Sequence, residues 1–222
     1  MGGVEMEQVQ NTKCHSRIRS AIALSLRAIR RIFRCFEDGW SLLRTKYTLL
    51  LNDVEYGSII SHGVPYICVA PSGKCVIGKN LTLNNGLRFN PIGYVQPCTL
   101  YVNTDATLVI GNNVGMSQTS IICHQSIYIG DNVKLGGGVK IYDTDFHSID
   151  PNIRKDRMAD MREKKCAPVV LEDNCFIGAG TTILKGVRIG ENAIVGACSL
   201  VTKDIPTNEI WAGVPARFVR KV

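Results

Sequence analysis

The stretch LEDNCFIGAGTTILKGVRIGENAIVGACSLV, residues 171–201, places a branched aliphatic residue at every sixth position. These positions are Leu171, Ile177, Ile183, Ile189, Val195 and Val201. A helix repeats every 3.6 residues and an ordinary strand every two, so neither produces this period. A six-residue repeat is typical of a parallel β-helix, in which three hexads close one triangular coil and the aliphatic side chains stack along the axis.

The same spacing extends towards the N-terminus with interruptions. Earlier coils are predicted at Ile129, Leu135 and Ile141, at Ile110, Met116 and Ile122, and at Ile77, Leu83 and Phe89. A one-residue bulge is expected between Cys123 and Tyr128, and a small loop near residues 90–97. About six coils are expected between Pro65 and Pro206, as an all-β domain over residues 61–206.

The largest interruption lies between Ile141 and Leu171, where thirty residues stand in place of six. The inserted loop, residues 146–167, is polar and charged. Long loops that leave a compact repeat are more often functional than not. We therefore look for chemistry there first.

The N-terminal residues 1–60 form a different region, predicted to be helical from Ile18 to Phe36 and to end near Gly39. Ile18, Ile22, Leu26, Ile29, Phe33 and Phe36 share one face of this helix, and arginines including Arg19, Arg27 and Arg34 share the other. Such a helix caps the open end of the coils, packs on a neighbouring subunit or lies on anionic lipid. All three interpretations remain open at this stage.

The net charge of +7 equals that of residues 13–46 alone, which carry nine basic and two acidic residues. The rest of the chain is balanced, which argues against a nucleic-acid-binding surface along the coils. Nine cysteines without a CxxC pair predict reduced thiols, with Cys123, Cys175 and Cys198 in core or corner positions of the coils. No signal peptide or apolar membrane span is visible, which predicts a cytoplasmic protein.

Four histidines are candidates for chemistry. His15 and His62 are expected to be a solvated and a turn residue, and His124 stands beside a cysteine without further metal ligands. His147 differs because it lies at the start of the insert, with Asp143, Asp145 and Asp150 close by. A carboxylate can hold the tautomer of a histidine that acts as a general base; the alternative is a loop histidine held in a turn by an aspartate.

Three segments carry a family resemblance: IGDNVKLGGGVKIYDTDFHSIDP (129–151), the stretch from Leu171 to Pro206, and WAGVPARFVRK (211–221). They resemble the hexapeptide-repeat acyltransferases, and within these the sugar O-acetyltransferases that include maltose, galactoside and surface-polysaccharide acetyltransferases. The resemblance implies a left-handed parallel β-helix, a homotrimer, acetyl-CoA as acyl donor and no metal. It also implies direct attack of a sugar hydroxyl on the thioester, with His147 as base and Asp143 and Asp145 beside it.

The resemblance further assigns binding residues. The backbone at Gly178 or Ala179 would stabilise the oxyanion. The cofactor would lie along Phe176, Ala179, Gly196, Ala197, Ser199, Thr202, Lys203, Arg217 and Arg220, and residues 207–222 would form a cofactor-binding tail. Phe176 stands where relatives often have tryptophan, so the shape of the groove differs there.

Residues that could bind the acceptor are Asn84, Asn85, Ser117 and Arg154, although Asn84 and Asn85 before Gly86 are also typical of a turn. Three other functions stay open. One is N-acetylation of an amino sugar or antibiotic, and another is a non-catalytic β-helix scaffold. The third is a zinc hydratase, disfavoured because too few histidines fall in the coils to hold zinc.

Overall fold

A computed structural model describes the backbone of residues 2–222 and the side chains from residue 23 onward. Residues 2–222 contain twenty strands and three helices. In order they are α1 (Gly2–Leu51), β1 (Glu55–Tyr56), β2 (Ile59–His62), β3 (Tyr66–Val69), β4 (Lys74–Ile77), β5 (Leu81–Asn84), β6 (Thr99–Val102), β7 (Thr107–Ile110), β8 (Gly115–Ser117), β9 (Ser120–Cys123), β10 (Ser126–Ile129), β11 (Lys134–Leu135), β12 (Lys140–Tyr142), α2 (Pro151–Arg154), α3 (Arg157–Glu163), β13 (Val169–Leu171), β14 (Phe176–Ile177), β15 (Thr182–Ile183), β16 (Arg188–Ile189), β17 (Ile194–Val195), β18 (Leu200–Val201), β19 (Glu209–Gly213) and β20 (Ala216–Lys221).

The strands form three sheets, and every third strand joins the same sheet. Sheet A has the order β1-β4-β7-β10-β13-β16, sheet B the order β2-β5-β8-β11-β14-β17-β19-β20, and sheet C the order β3-β6-β9-β12-β15-β18. All pairs are parallel except β19 with β20, which form an antiparallel hairpin at the end of sheet B. The predicted parallel β-helix is therefore confirmed, with six coils between β1 and β18.

The core consists of aliphatic side chains stacked in register from coil to coil. All six hexad positions from Leu171 to Val201 are buried, as predicted. In sheet B, for example, Leu135 lies between Met116 and Ile177 in the ladder, at the spacing of hydrogen-bonded strands. Each coil therefore buries its apolar residues mainly against the coils above and below it.

The predicted frame was wrong at two earlier positions. Ile121, not Ile122, lies in register with Leu100 and Ile141 and is fully buried. Phe89 is not a core position, because it lies in the loop between β5 and β6 and stacks on His62 at a centroid distance of 6.0 Å. The coils also begin at Glu55, before the predicted start at Pro65, since the first coil lacks the aliphatic–glycine hexads.

Asparagines line the corner between sheets A and B as a continuous ladder of side-chain amides. At successive coils the Nδ2 group of one residue donates to Oδ1 of the next over 2.8 to 3.2 Å. The members are Asn80, Asn113, Asn132, Asn174, Asn192 and Asn208. Each has φ between 57° and 62°, the left-handed conformation that asparagine tolerates better than other residues with a Cβ.

Helix α1 runs through Gly39 to Leu51, so the predicted end at Gly39 was wrong. The chain divides into two compact units, residues 1–40 and 41–222, and the last turns of α1 belong to the second. There Ser41, Thr45 and Leu49 share one helical face and are buried, and Thr45 Oγ1 lies 3.1 Å from Ser61 Oγ on β2. The end of α1 therefore covers the first coil. His15, Ile18, Arg19 and Ile22 lie before the described side chains.

Leu49 provides a test of this packing. Its side chain is completely buried, so Leu49→Ala is expected to lower the free energy of unfolding by about 2–5 kcal/mol. Leu50→Ala is the matched control, since Leu50 is exposed and its truncation should change stability by less than about 0.5 kcal/mol. Urea denaturation followed by circular dichroism measures both. Equal midpoints for the two variants would contradict the packing.

The eight cysteines with described side chains are all unpaired. Burial raises the pKa of Cys75 and of Cys175 to about 12 and keeps these thiols protonated. Cys123 is also buried and has a raised pKa for the same reason, whereas Cys198 lies exposed at a corner. The buried thiols act as small core residues.

Candidate active site

His147 lies where the chain leaves sheet C after β12, at the corner that leads to sheet A. The chain does not turn directly into the next strand here, but forms the insert that contains α2 and α3 before it enters β13. The imidazole is 70% exposed. It is thus accessible to a small molecule from outside the coils.

A carboxylate of the insert holds the imidazole. Asp160 Oδ2 lies 2.7 Å from His147 Nδ1, and Asp160 Oδ1 accepts a hydrogen bond from the backbone N–H of Ser148 at 2.6 Å. The Asp160 side chain is only 10% exposed. The bond with His147 is the main cause that lowers the pKa of Asp160, followed by the Ser148 N–H, while partial burial opposes it.

This pair fixes which imidazole nitrogen carries the proton. An ionised carboxylate can only accept hydrogen bonds, so Nδ1 of His147 must be the donor. In the neutral ring Nε2 then holds a lone pair and is free to accept a proton. The arrangement suits a general base acting at Nε2.

The insert is folded so that Asp160 returns to His147. Asp150 caps α2 by accepting from the N–H of Asn152 at 2.8 Å, and Asp156 caps α3 by accepting from the N–H of Ala159 at 2.7 Å. Such caps satisfy N–H groups that the first helical turn leaves unpaired. Arg154 Nη1 donates to the carbonyl of Ser148 at 2.8 Å and joins α2 to the residue that follows His147.

The lowered pKa of Asp160 predicts a pH dependence of stability. A carboxyl group whose pKa is depressed by folding stabilises the protein above its unfolded pKa of about 3.9, and this stabilisation is lost as the pH falls through the folded value. Asp160→Asn should therefore be less stable than the wild type at pH 7, and the difference should shrink below about pH 4. Urea midpoints at pH 7, 5 and 3 test this; a difference that grows on acidification would contradict it.

Asp143 and Asp145, expected beside His147, instead bind elsewhere. Asp143 is fully buried and accepts hydrogen bonds from the backbone N–H groups of His124 and Gln125, each at 2.7 Å. Asp145 forms an ion pair with Lys185 at 2.7 Å. These two carboxylates close the corner of the coils, and Asp160 replaces them as the partner of the imidazole.

An aromatic cluster lies next to His147 on the same corner. The Phe146 ring packs edge-on against Tyr142 and His124 at centroid distances of 5.2 and 6.0 Å, and His124 lies 5.9 Å from the Tyr101 ring. Burial is the main cause that lowers the pKa of His124, so the neutral ring is favoured there. The cluster offers an apolar surface beside the candidate base, and His124 is part of it.

The predicted oxyanion residues lie at another corner, between sheets B and C. The Gly178 N–H donates to the carbonyl of Val195 at 2.7 Å, so this amide is occupied and cannot serve. The N–H of Ala179 has no hydrogen-bond partner among the described residues, and Ala179 is partly exposed. Ala179 is therefore the better of the two predicted donors.

Glycines allow a close approach at this corner. A Cβ at Gly178 would lie 2.5 Å from the backbone nitrogen of Ala197 in the next coil. The loop between β5 and β6 folds over the corner, so that a Cβ at Gly138 would lie 2.5 Å from the Tyr94 ring. Gln118 Nε2 anchors this loop by donating to the carbonyls of Asn90 and Tyr94 at 2.7 and 3.1 Å.

Most of the predicted cofactor residues lie on sheet B or at its corner with sheet C. Phe176 and Ala197 are exposed and Gly196 is partly exposed. Ser199 is an exception, because it is buried, donates to the carbonyl of Gly196 at 2.7 Å and accepts from the N–H of Gly213 at 3.0 Å. Its hydroxyl joins the C-terminal hairpin to the corner and is not available to a cofactor.

The predicted phosphate-binding residues fall into two groups. Arg217 and Arg220 are exposed on β20, at the end of sheet B, and each donates only to a neighbouring backbone carbonyl. Thr202 and Lys203 are also exposed, but they follow β18 at the corner between sheets C and A, as His147 follows β12. One protomer therefore does not bring the four together.

Of the four predicted acceptor residues, Arg154 binds the carbonyl of Ser148 beside His147, and the other three lie away from it. Asn84 and Ser117 end strands of sheet B and are joined by a 3.1 Å hydrogen bond. Asn85 is buried; it donates to the carbonyl of His62 at 3.0 Å and accepts from the N–H of Cys98 at 2.8 Å. The prediction that Asn85 faces a groove was wrong, since its amide holds the loop after β5.

Asn85→Ala should accordingly affect stability. It removes the acceptor for the buried N–H of Cys98, which is expected to cost about 1–3 kcal/mol. Asn84→Ala removes one partly exposed side-chain bond and should cost less than about 1 kcal/mol. Thermal unfolding measures both variants, and an Asn85→Ala protein as stable as the wild type would contradict the structural role.

The described residues contain no group of three or more His, Cys, Asp and Glu side chains that could hold a metal ion. Within the same part of the chain, no helix combines the length and the hydropathy that crossing a bilayer requires.

The six-residue repeat matches a known family model. Residues 168–203 match the family model described as bacterial transferase hexapeptide (six repeats). This match covers the segment that carries the unbroken six-residue period. The chain is 42% identical over 103 residues to a galactoside O-acetyltransferase of Lactococcus lactis, and the alignment covers 46% of this chain and 47% of the relative. It is 34% identical over 130 residues to a galactoside O-acetyltransferase of Escherichia coli, covering 58% of this chain and 61% of the relative.

The chain thus spans about half to three fifths of the length of these curated relatives. Among solved structures, AntD, an N-acyltransferase from Bacillus cereus, aligns with a TM-score of 0.61 at 19% identity over 80% of this chain and 87% of that one. A hexapeptide-repeat acetyltransferase from Vibrio cholerae aligns with a TM-score of 0.52 at 24% identity over 82% and 80%. These likenesses concern the fold alone, and they confirm the left-handed parallel β-helix predicted for this chain.

Asp160, Phe146 and Tyr94 were not identified from the sequence. Asp160 is thirteen residues from His147, and only the helix signal at Asp156, a capping residue before a helical stretch, could have placed it on a folded insert. Phe146 and Tyr94 occupy loops with no period, where sequence spacing carries little information.

Proposed function

We propose that the protein is an acetyl-CoA-dependent O-acetyltransferase that acts on a sugar hydroxyl. The observation that carries the proposal is the exposed imidazole of His147, fixed by Asp160 with Nε2 free to accept a proton. The galactoside O-acetyltransferases that share nearly half or more of this chain support the acceptor class. The CoA complexes among the structural neighbours fit the donor.

His147 acts as the general base in this proposal. Nε2 accepts the proton of the acceptor hydroxyl as its oxygen forms the new ester bond, and Asp160 stabilises the imidazolium that results. The ring then returns the proton to the leaving thiolate, so that the products are an acetyl ester and free CoA. The only chemistry that acetyl-CoA supplies is its activated thioester.

The chain offers a fitting surface for such a donor. The free N–H of Ala179 is suited to stabilise an oxyanion, and the small residues Gly196 and Ala197 leave room for a thin pantetheine arm. The exposed side chains of Arg217 and Arg220 suit phosphate groups. We include residues 207–222 in the proposal as a cofactor-binding tail of the β-helix domain, residues 61–206.

We include a homotrimer in the proposal because these groups lie at different corners of one chain. Within one chain, β15 of sheet C begins after the corner that holds Ala179 and ends at the corner between sheets C and A, where His147 follows β12. The base and the oxyanion donor therefore lie at opposite ends of the strands of sheet C. A second copy whose Ala179 corner packs beside His147 would complete the site. Three copies around an axis close such an interface. Lys203 and Thr202 would then meet the donor from the same side as His147.

The test is release of free thiol from acetyl-CoA in the presence of galactosides, maltose and nucleotide-linked sugars. We expect thiol release that depends on one of these acceptors, together with an acetylated sugar in the mass spectrum. Calorimetry with CoA gives an independent measurement of binding. Absence of CoA binding would overturn the proposal in favour of a non-catalytic scaffold.

A nitrogen acceptor is the second candidate. A tetrahydropyridine dicarboxylate N-acetyltransferase of Staphylococcus aureus is 46% identical to this chain, but over only 55 residues, 25% of the chain. Treatment of the product with hydroxylamine distinguishes the two, because it cleaves an acetyl ester and leaves an amide intact.

Contact of the N-terminal helix with lipid also stays a prediction, and the vesicle experiment described below includes it.

A further inference from the structure

Helix α1 carries a stripe of exposed apolar side chains in the first unit of the chain. We define the stripe as Leu26, Ile29, Phe33, Phe36 and Trp40. Their exposed fractions are 60%, 49%, 63%, 77% and 65%. Large aromatic side chains are rarely left this open on a monomer, so the stripe indicates an interaction surface.

The spacing of the stripe alternates strictly between three and four residues. This is the a and d pattern of a heptad repeat, with an average period of 3.5. An isolated amphipathic helix follows 3.6, and a straight helix drifts by about 20° per heptad from a seven-residue pattern. The sequence keeps the pattern through Leu43, Tyr47 and Leu50 in the second unit, where these side chains are also exposed.

We propose that the stripe packs against the same stripe of a second copy of this chain, as a coiled coil. A seven-residue repeat is what keeps the apolar seam facing a partner helix along its length. Because each helix presents the same pattern, a second copy provides a complementary surface. The proposal does not depend on the acetyltransferase activity.

The arginines favour a protein partner over lipid. At about 100° per residue, Arg27, Arg31 and Arg34 lie on the side of the helix opposite to the stripe. A helix lying with its stripe in a bilayer would therefore hold these guanidinium groups away from the phosphate headgroups. In a coiled coil they occupy the outer positions, where charges remain in water.

The apolar area is sufficient for a stable contact. At their exposed fractions, Phe33, Phe36 and Trp40 offer roughly 300–500 Å². Leu26 and Ile29 raise this to on the order of 600 Å² for the stripe. Two stripes in contact would therefore bury on the order of 1,200 Å², the lower end of the range for specific, stable interfaces.

Photo-crosslinking of the full chain tests the proposal without replacing a cysteine. The photoreactive analogue p-benzoylphenylalanine is placed at Phe36 in the stripe, or at Asp38 on the opposite side as the matched control. We expect irradiation to give a covalent dimer with the probe at position 36 and at least tenfold less with the probe at 38. Mass spectrometry should locate the crosslink within residues 26–40 of the partner copy.

A second measurement uses charge. The double variant Ile29→Asp with Phe36→Asp is compared with Ala28→Asp with Cys35→Asp, which adds the same charge on a side of the helix away from the stripe. The stripe variant should raise the protein concentration at which the assembly dissociates in analytical ultracentrifugation at least tenfold, while the control should not. Circular dichroism checks that both variants remain folded.

Three results would overturn the proposal: equal crosslinking at positions 36 and 38, crosslinks only to the β-helix, or equal dissociation of the two aspartate variants. Co-sedimentation with phosphatidylglycerol vesicles that requires Phe36, together with no dimer crosslink, would assign the stripe to lipid instead. Neither assay involves turnover. Failure here would therefore leave the proposed acetyl transfer untouched, and failure of the thiol-release assay would leave this contact untouched.

Discussion

Replacing His147 by alanine is expected to lower kcat/KM for acetyl transfer by about 10²–10⁴-fold, the usual contribution of a positioned general base. The loss should appear mainly in kcat, because the imidazole acts on the proton that moves during the reaction. The measurement is thiol release at saturating acetyl-CoA with the acceptor found in the screen. The variant should fold normally, since the ring is largely exposed.

His62→Ala provides the matched control for this prediction. His62 ends β2 in the first coil and stacks on Phe89, away from the insert. Its removal should leave kcat/KM within about twofold of the wild type, since ordinary side-chain truncations away from the site change little. If His147→Ala keeps full turnover on a true acceptor, His147 is not the base.

Asp160→Asn is expected to lower kcat/KM by on the order of 10²-fold, although it changes a single atom. Both partners of this carboxylate are donors, the Ser148 N–H and His147 Nδ1. An asparagine has one oxygen and can accept from only one of them. The backbone N–H is always a donor, so the asparagine oxygen accepts from it. The imidazole then carries its proton on Nε2 instead of Nδ1, and a protonated Nε2 cannot act as a base.

The tautomer of His147 distinguishes a positioning role of Asp160 from a merely structural one, because loss of a structural contact alone would not change which ring nitrogen carries the proton. Nitrogen NMR of His147 should show the proton on Nδ1 in the wild type and on Nε2 in Asp160→Asn. Asp156→Asn is the matched control, because the Asp156 side chain accepts from the Ala159 N–H and asparagine caps a helix about as well as aspartate. An unchanged tautomer in Asp160→Asn, with lost activity, would contradict the positioning role.

The coils could be predicted from sequence because their period is local. From Leu171 to Val201 every hexad fills the same environment, so the aliphatic positions alone fix which residues face the axis. Prediction failed where loops shift the frame. Leu100 takes the place expected for Phe89 because of the loop between β5 and β6, and Ile121 replaces Ile122 because the corner between β8 and β9 is one residue shorter than a hexad requires.

The candidate site could be predicted only in part for the same reason. His147 is found at the start of the insert, but its carboxylate partner depends on how the insert folds back. Asp143 and Asp145 are close in sequence, yet they bind backbone amides and Lys185. Asp160 reaches the imidazole because α3 folds back towards it, and the six-residue repeat does not predict the fold of the insert. A similar limit explains Asn85, whose amide holds a loop that the hexads do not describe.

The asparagine ladder at the corner between sheets A and B gives the molecule a polarity. Every amide donates in the same direction, towards the C-terminal end, so each rung depends on its two neighbours and on no distant residue. Substitution of one asparagine therefore affects only the adjacent coils. Whole coils could be gained by duplication or lost by deletion without changes in the other coils. Such a chain can change its number of coils in evolution while the coils that carry the site around His147 stay intact.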